Sequence, residues 1–101
     1  MINTKNAIVT FNNLTYSEDT VELAAENGNR VGLLIYNNSS TGFQIYINWT
    51  EDTEWDESSF IIPANSLYEL PTEYTTLNFY GAWQEEPTEG ASIKITEISD
   101  R

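Results

Sequence analysis

The 101 residues contain no cysteine and no histidine. Without cysteine there is no disulfide framework and no zinc site built on thiolates. Without histidine the usual general base, the commonest metal ligand and the partner of a serine nucleophile are all missing. Cations are nearly as scarce. Lys5, Arg30, Lys94 and Arg101 stand against 16 Asp and Glu, for a net charge of −12. Nucleic acid needs a basic stripe and an anionic membrane needs a basic patch, so neither is an expected partner. No Gly-rich phosphate loop, nucleophile elbow or metal-binding His pair occurs. These absences point to a protein that is not an enzyme and carries no cofactor. A basic or neutral protein surface or a neutral glycan remains as partner. The acidity also has a plainer use, because Asp and Glu keep proteins soluble.

Long apolar runs are missing too. The longest, Val31–Tyr36, is far too short to span a bilayer, and Met1–Asn6 lacks the apolar stretch of a secretory signal. Hydrophobic residues nevertheless make up 40% of the chain, enough to bury one core. The length suits one domain, 1–101, with Met1–Asn6 as a candidate flexible arm.

The hydrophobic period is two. Phe43, Ile45, Ile47 and Trp49 alternate with Gln44, Tyr46 and Asn48, which predicts a strand with one face buried. Leu77, Phe79 and Trp83 alternate with Asn78, Tyr80 and Ala82. Gly81 inside that run signals a bulge or a close backbone approach. Ala91, Ile93 and Ile95 alternate with Ser92, Lys94 and Thr96, and Ile98 falls out of step, so an end or bulge is expected near Glu97. Val31–Tyr36 and Phe60–Ile62 are apolar on both parities and read as strands covered on both faces. Ile8–Phe11 and Leu67–Leu70 read as short strands. Ser17–Glu26 is open to two readings. Ser17 could cap a helix that Asn27-Gly28 ends. Asn27-Gly28 after the alternating Val21 and Leu23 favours a hairpin turn instead, and the hairpin is the expectation. Turn residues recur at short intervals. Seven or eight short strands so spaced predict an all-β, antiparallel β-sandwich with jelly-roll-like features.

Three groups of residues could carry chemistry. Asp52, Glu54 and Asp56 stand two apart, as the first ligands of a calcium loop do. The position that needs a turn glycine is Glu57 and the closing position is Pro63, so the EF-hand pattern fails. A looser calcium site and a solvated acidic hairpin tip are the two readings. Trp49 and Trp83 sit on the apolar parity of their strands and read as core. Trp55 lies in the acidic tip and reads as a recognition anchor. Tyr46, Tyr68 and Tyr74 add amphipathic surface of the kind enriched at interfaces. A protein contact and a sugar site centred on Trp55 both fit.

Four strings together resemble one family. Asn29-Arg30-Val31-Gly32-Leu33-Leu34-Ile35-Tyr36-Asn37-Asn38-Ser39 resembles the Arg–aliphatic–Asn-x-Ser strand of small tailed-phage virion proteins. Phe43–Ile47 looks like the strand that follows and pairs with it. Phe60–Leu70 resembles their apolar, Pro/Ala, Ser-containing segment, with Asn65 where a glycine is common. Ala91–Glu97 resembles the closing strand. The resemblance spans roughly residues 20–98. It implies a capsid decoration (cement) or accessory head protein, a homo-oligomer (dimer or trimer) bound to the major capsid protein or another virion protein. Such a protein assembles in the host cytoplasm and ends on the virion. The alternative is a small carbohydrate-binding module using Trp55. Trp55, Tyr46, Tyr68 and Tyr74 are the expected contact residues on a shell, and Trp55 alone carries the alternative.

Overall fold

A computed structural model describes residues 7–47, 59–70, 74–88 and 90–100. It is all-β. The strands are β1 (Ala7–Thr15), β2 (Val21–Ala24), β3 (Arg30–Asn38), β4 (Phe43–Ile47), β5 (Ser59–Ile62), β6 (Ser66–Glu69), β7 (Phe79–Trp83) and β8 (Ser92–Asp100). They form two four-stranded sheets, here sheet A in the order β1-β8-β3-β6 and sheet B in the order β2-β7-β4-β5. Every pairing is antiparallel. The order is that of an eight-stranded jelly roll, in which the chain repeatedly crosses between facing sheets.

The period-two pattern explains the core. Leu33 and Ile35 of β3 and Ile93 and Ile95 of β8 face Phe43 and Ile45 of β4 and Phe79 and Trp83 of β7, all of them buried. Trp83 is core, as expected, and its ring meets Phe43 edge-on at 4.8 Å. Trp49 lies outside the described residues.

Several expectations are corrected by topology. Asn27-Gly28 does not close a hairpin, because β2 belongs to sheet B and β3 to sheet A. Asn27 instead closes its own turn. Its carbonyl accepts from the Arg30 amide at 3.1 Å and its Oδ1 from the Asn29 amide at 3.0 Å. The side chain supplies what a left-handed glycine would otherwise provide, and Gly28 has no positive φ. β4 likewise does not pair with β3; it lies in the other sheet between β7 and β5. Both of its faces are covered, with Gln44 and Tyr46 buried as well as Phe43 and Ile45. Phe60–Ile62 is an edge strand, and Ile61 is half exposed. β3 is central, but its outer face is only partly covered. β8 runs unbroken through Glu97, and Ile98 falls out of step because it packs on the outer face over Gly32. The irregularity sits on β3 instead. Arg30 pairs with Ser99 and Gly32 with Ile98, leaving Val31 as the extra residue. That bulge turns Arg30 to the same side as Leu33 and Ile35.

Arg30 is therefore a buried charge, only 2% exposed. Its Nε donates to Glu97 Oε2 at 2.7 Å, and its Nη1 donates to the carbonyls of Thr75 and Leu77 at 2.9 and 2.8 Å. Its Nη2 donates to the Ala25 carbonyl. One side chain thus joins β3, β8, the segment after β2 and the turn before β7. At the other end of β3, Asn37 is fully buried and its Nδ2 donates to the carbonyls of Thr41, Ile62 and Pro63. Asn65, at φ 56°, makes the tight turn from β5 to β6, a conformation that asparagine tolerates better than most residues.

Gly81 is a close approach rather than a bulge. It pairs in register with Ile45, and a Cβ there would lie 2.5 Å from Cζ of the buried Phe43 ring and 3.1 Å from the Gln44 carbonyl. Gly81→Ala should lower stability by at least about 2 kcal/mol in urea unfolding. The penalty should shrink in a Phe43→Leu background, where the ring is gone. Arg30→Ala removes the guanidinium and strands three backbone carbonyls. It should cost about 3–5 kcal/mol, whereas Glu97→Gln, which still accepts from Nε, should cost about 1 kcal/mol. Equal losses for both would show that the pairing with Glu97, and not the backbone contacts, carries the effect.

Candidate functional site

Residues directly opposed in an antiparallel pair share a face of the sheet. Ile93 and Ile95 point inward, so Lys94, Thr96 and Ile98 point outward. The register extends this outer face on both sides. Lys94 lies between Asn13 and Tyr36, Thr96 between Phe11 and Leu34, and Ile98 between Val9 and Gly32. On the far edge Leu67 stands beside Tyr36 and Glu69 beside Leu34. The outcome is an apolar field across all four strands of sheet A: Val9, Phe11, Ile98, Leu34, Tyr36 and Leu67. Four strands at ordinary spacing make it about 14 Å from the β1 edge to the β6 edge.

Its rim holds the two most exposed large apolar side chains among the described residues. Phe11 is 75% exposed, Leu67 62% and Val9 49%. The charges on this face are Lys94 at the centre, Glu69 on the β6 edge and Asp100 at the end of β8. The face is thus nearly neutral in a chain of net charge −12. A depression of about 390 Å³ beside Phe11 and Lys94 gives it relief. The outer side of sheet B differs. There Tyr80 donates from its hydroxyl to Glu22 Oε2 at 3.0 Å, and that carboxylate, first through the hydrogen bond, pushes the Tyr80 phenol above its ordinary value.

The expected contact residues are not brought together. Tyr46 is buried on the sheet B side, and burial raises its phenol pKa. Tyr68 sits opposite Ile35, half buried, with its ring 4.3 Å from that of Phe60. Tyr74 is 40% exposed in the turn before β7. Trp55 and the calcium candidates Asp52, Glu54 and Asp56 lie outside the described residues. Among the described residues no group of three acids could hold a metal ion. Phe11, Val9 and Leu67 were not singled out from the sequence, because which face a residue takes depends on strand pairing across the whole chain. The available signal was an apolar residue with no buried counterpart, and Phe11 in a strand rich in Asn and Thr had that character.

No family model matches the chain, and no curated protein matches it in sequence. Among solved structures it is similar to a chain from Bacillus endospore appendages, described as a novel family of disulfide-linked pili. The identity is 11%, the TM-score 0.54, and the match covers 93% of this chain and 86% of that one. It also resembles part of apo ToxT from Vibrio cholerae, at 12% identity and TM-score 0.49, covering 95% of this chain and 30% of that one. The appendage likeness is one of fold.

Tyr46 gives this part of the structure a pH signature. Its folded pKa lies above the unfolded value of 10.0, so the folded state holds the proton more tightly. That contribution is present in full below pH 10 and is lost as the pH rises through the folded pKa. The melting temperature should therefore fall above pH 10, and Tyr46→Phe should flatten the fall. An unchanged slope in that variant would assign the alkaline loss to other groups.

Proposed function

We propose that the chain is a non-enzymatic structural subunit that docks onto a larger protein assembly through the outer face of sheet A. The observation that carries this reading is the apolar field from Phe11 to Leu67, exposed on a four-stranded sheet and poor in acids in a chain of net charge −12. Contiguous apolar surface of this kind marks interaction sites. The net charge elsewhere opposes non-specific association.

The resemblance to tailed-phage virion proteins makes that assembly a capsid. On this reading the protein is a decoration or accessory subunit that binds the shell and stabilises it, with the major capsid protein or another virion protein as partner. A lack of thiols suits assembly in a reducing host cytoplasm. Lys94, central on the face, is available to a partner carboxylate or carbonyl. The appendage likeness is compatible with a jelly-roll subunit that builds a polymer, but the 101 residues hold no cysteine for a disulfide link of that kind. The carbohydrate reading depends on Trp55 and gains nothing from the described residues.

Capsids lacking the protein should bind it saturably, at a constant number of copies per shell. Leu67→Asp should weaken that binding at least about tenfold, as loss of an interface anchor does. Its melting temperature should stay unchanged, because Leu67 is already in water. Wild-type binding by Leu67→Asp, or no binding by the wild type at any salt concentration, would overturn the proposal.

A further inference from the structure

We propose that β1 is a self-pairing strand: its free edge hydrogen-bonds to the same strand of a second copy, antiparallel about a two-fold axis at Phe11. Among the described strands β1 pairs only with β8, along all nine residues and without a break in register. Its other edge has no strand partner among the described residues. Proteins normally protect such edges with charge, proline, a bulge or short length. The other three edge strands follow this rule. β2 has four residues, Glu22 and a bulge; β6 has four residues and Glu69; β5 has four residues. β1 has nine residues, no charge, no proline and no bulge.

Self-complementarity selects the occupant. A basic partner finds no carboxylate on this strand. A second copy is repelled by the bulk of the molecule but not along β1, and the strand is complementary to its own reverse. Phe11 is its midpoint. Reversal about Phe11 sets Phe11 against Phe11 of the other copy, Ile8 against Leu14, Val9 against Asn13 and Thr10 against Asn12. Apolar residues on the inner face meet apolar residues, and hydroxyl meets amide. Ile8 and Phe11, now 45% and 75% exposed, both leave water in that arrangement. The sandwich is also open beside this edge. An opening of about 410 Å³ between the sheets is bordered by Thr10, Leu23, Ala24 and Ile95, with the carboxylates of Glu22 and Glu97 also on its border. An added strand extends its wall and places the second Ile8 and Leu14 along it. The two copies of sheet A then form one eight-stranded sheet. The inference does not rest on what the outer face docks on.

Sedimentation equilibrium of the free chain tests it. The wild type should form a closed dimer of twice the chain mass. Dimerisation should strengthen severalfold from low salt to about 0.5 M, because salt screens the repulsion between two acidic bodies while the neutral strand contact is untouched. Phe11→Asp and Phe11→Lys should each be monomeric, because each sets like charges face to face, and each should melt as the wild type does at concentrations low enough that the wild type is also monomeric. Mixed, the two variants should form a one-to-one pair. Leu67→Asp should dimerise as the wild type does, which separates this contact from shell docking. A monomeric wild type, homodimers of either Phe11 variant, no pairing in the mixture, or open polymers in place of a closed dimer would overturn it.

Discussion

A guanidinium with no exposed side-chain surface is tolerable only where its donors find acceptors, and the fold around Arg30 is arranged to supply them. Glu97 on β8 takes Nε, and the carbonyls of Ala25, Thr75 and Leu77 take the remaining bonds. Those carbonyls belong to segments far apart in sequence, so the side chain acts as a tie across one end of the sandwich. The turn at Thr75–Leu77 is held from the other side by the Asn27 amide, which donates to the Thr76 carbonyl at 3.0 Å. The Val31 bulge is what allows this. In an unbroken strand Arg30 would share the outer face with Leu34 and Tyr36, and the charge would sit in water.

Asn37 does the same work without a charge at the far end of β3. Its amide holds the β3–β4 connection and the end of β5 together. β3 is thus pinned at both ends by buried polar groups, with Leu33 and Ile35 packed between them. Polar ties of this kind are specific in a way that apolar packing is not. They are satisfied in one register, so they select the crossing pattern of the jelly roll from the other arrangements that eight amphipathic strands could take. A continuous four-stranded sheet A follows, and with it an outer face on which apolar residues stay exposed.

Strand content and most of the core were legible in the sequence because period-two alternation is a local property. Ile93, Ile95, Phe43, Phe79 and Trp83 declare their burial to their immediate neighbours. What the pattern misjudged was pairing. Asn27-Gly28 looks like a hairpin turn to anything that sees only ten residues, yet its flanking strands go to opposite sheets. Gln44 and Tyr46 are polar or amphipathic and read as solvent-facing, yet β4 is covered on both sides. The candidate site was legible only in outline. Amphipathic tyrosine surface was expected to matter, but Tyr46, Tyr68 and Tyr74 are partly or wholly packed away, and Phe11, Val9 and Leu67 carry the exposure instead.

The sequence alone determined that the chain is acidic, free of thiols and imidazoles, and built of short antiparallel strands. Each of these is a matter of composition or of side-chain alternation over a few residues. Only the tertiary structure decided which strands are neighbours, which face of each looks outward and which edge is left without a partner. Those outcomes depend on contacts between residues as distant as Arg30 and Glu97, and no local pattern encodes such a contact. The acid-poor face of sheet A and the uncharged edge of β1 exist because pairing gathers residues that are unremarkable one strand at a time.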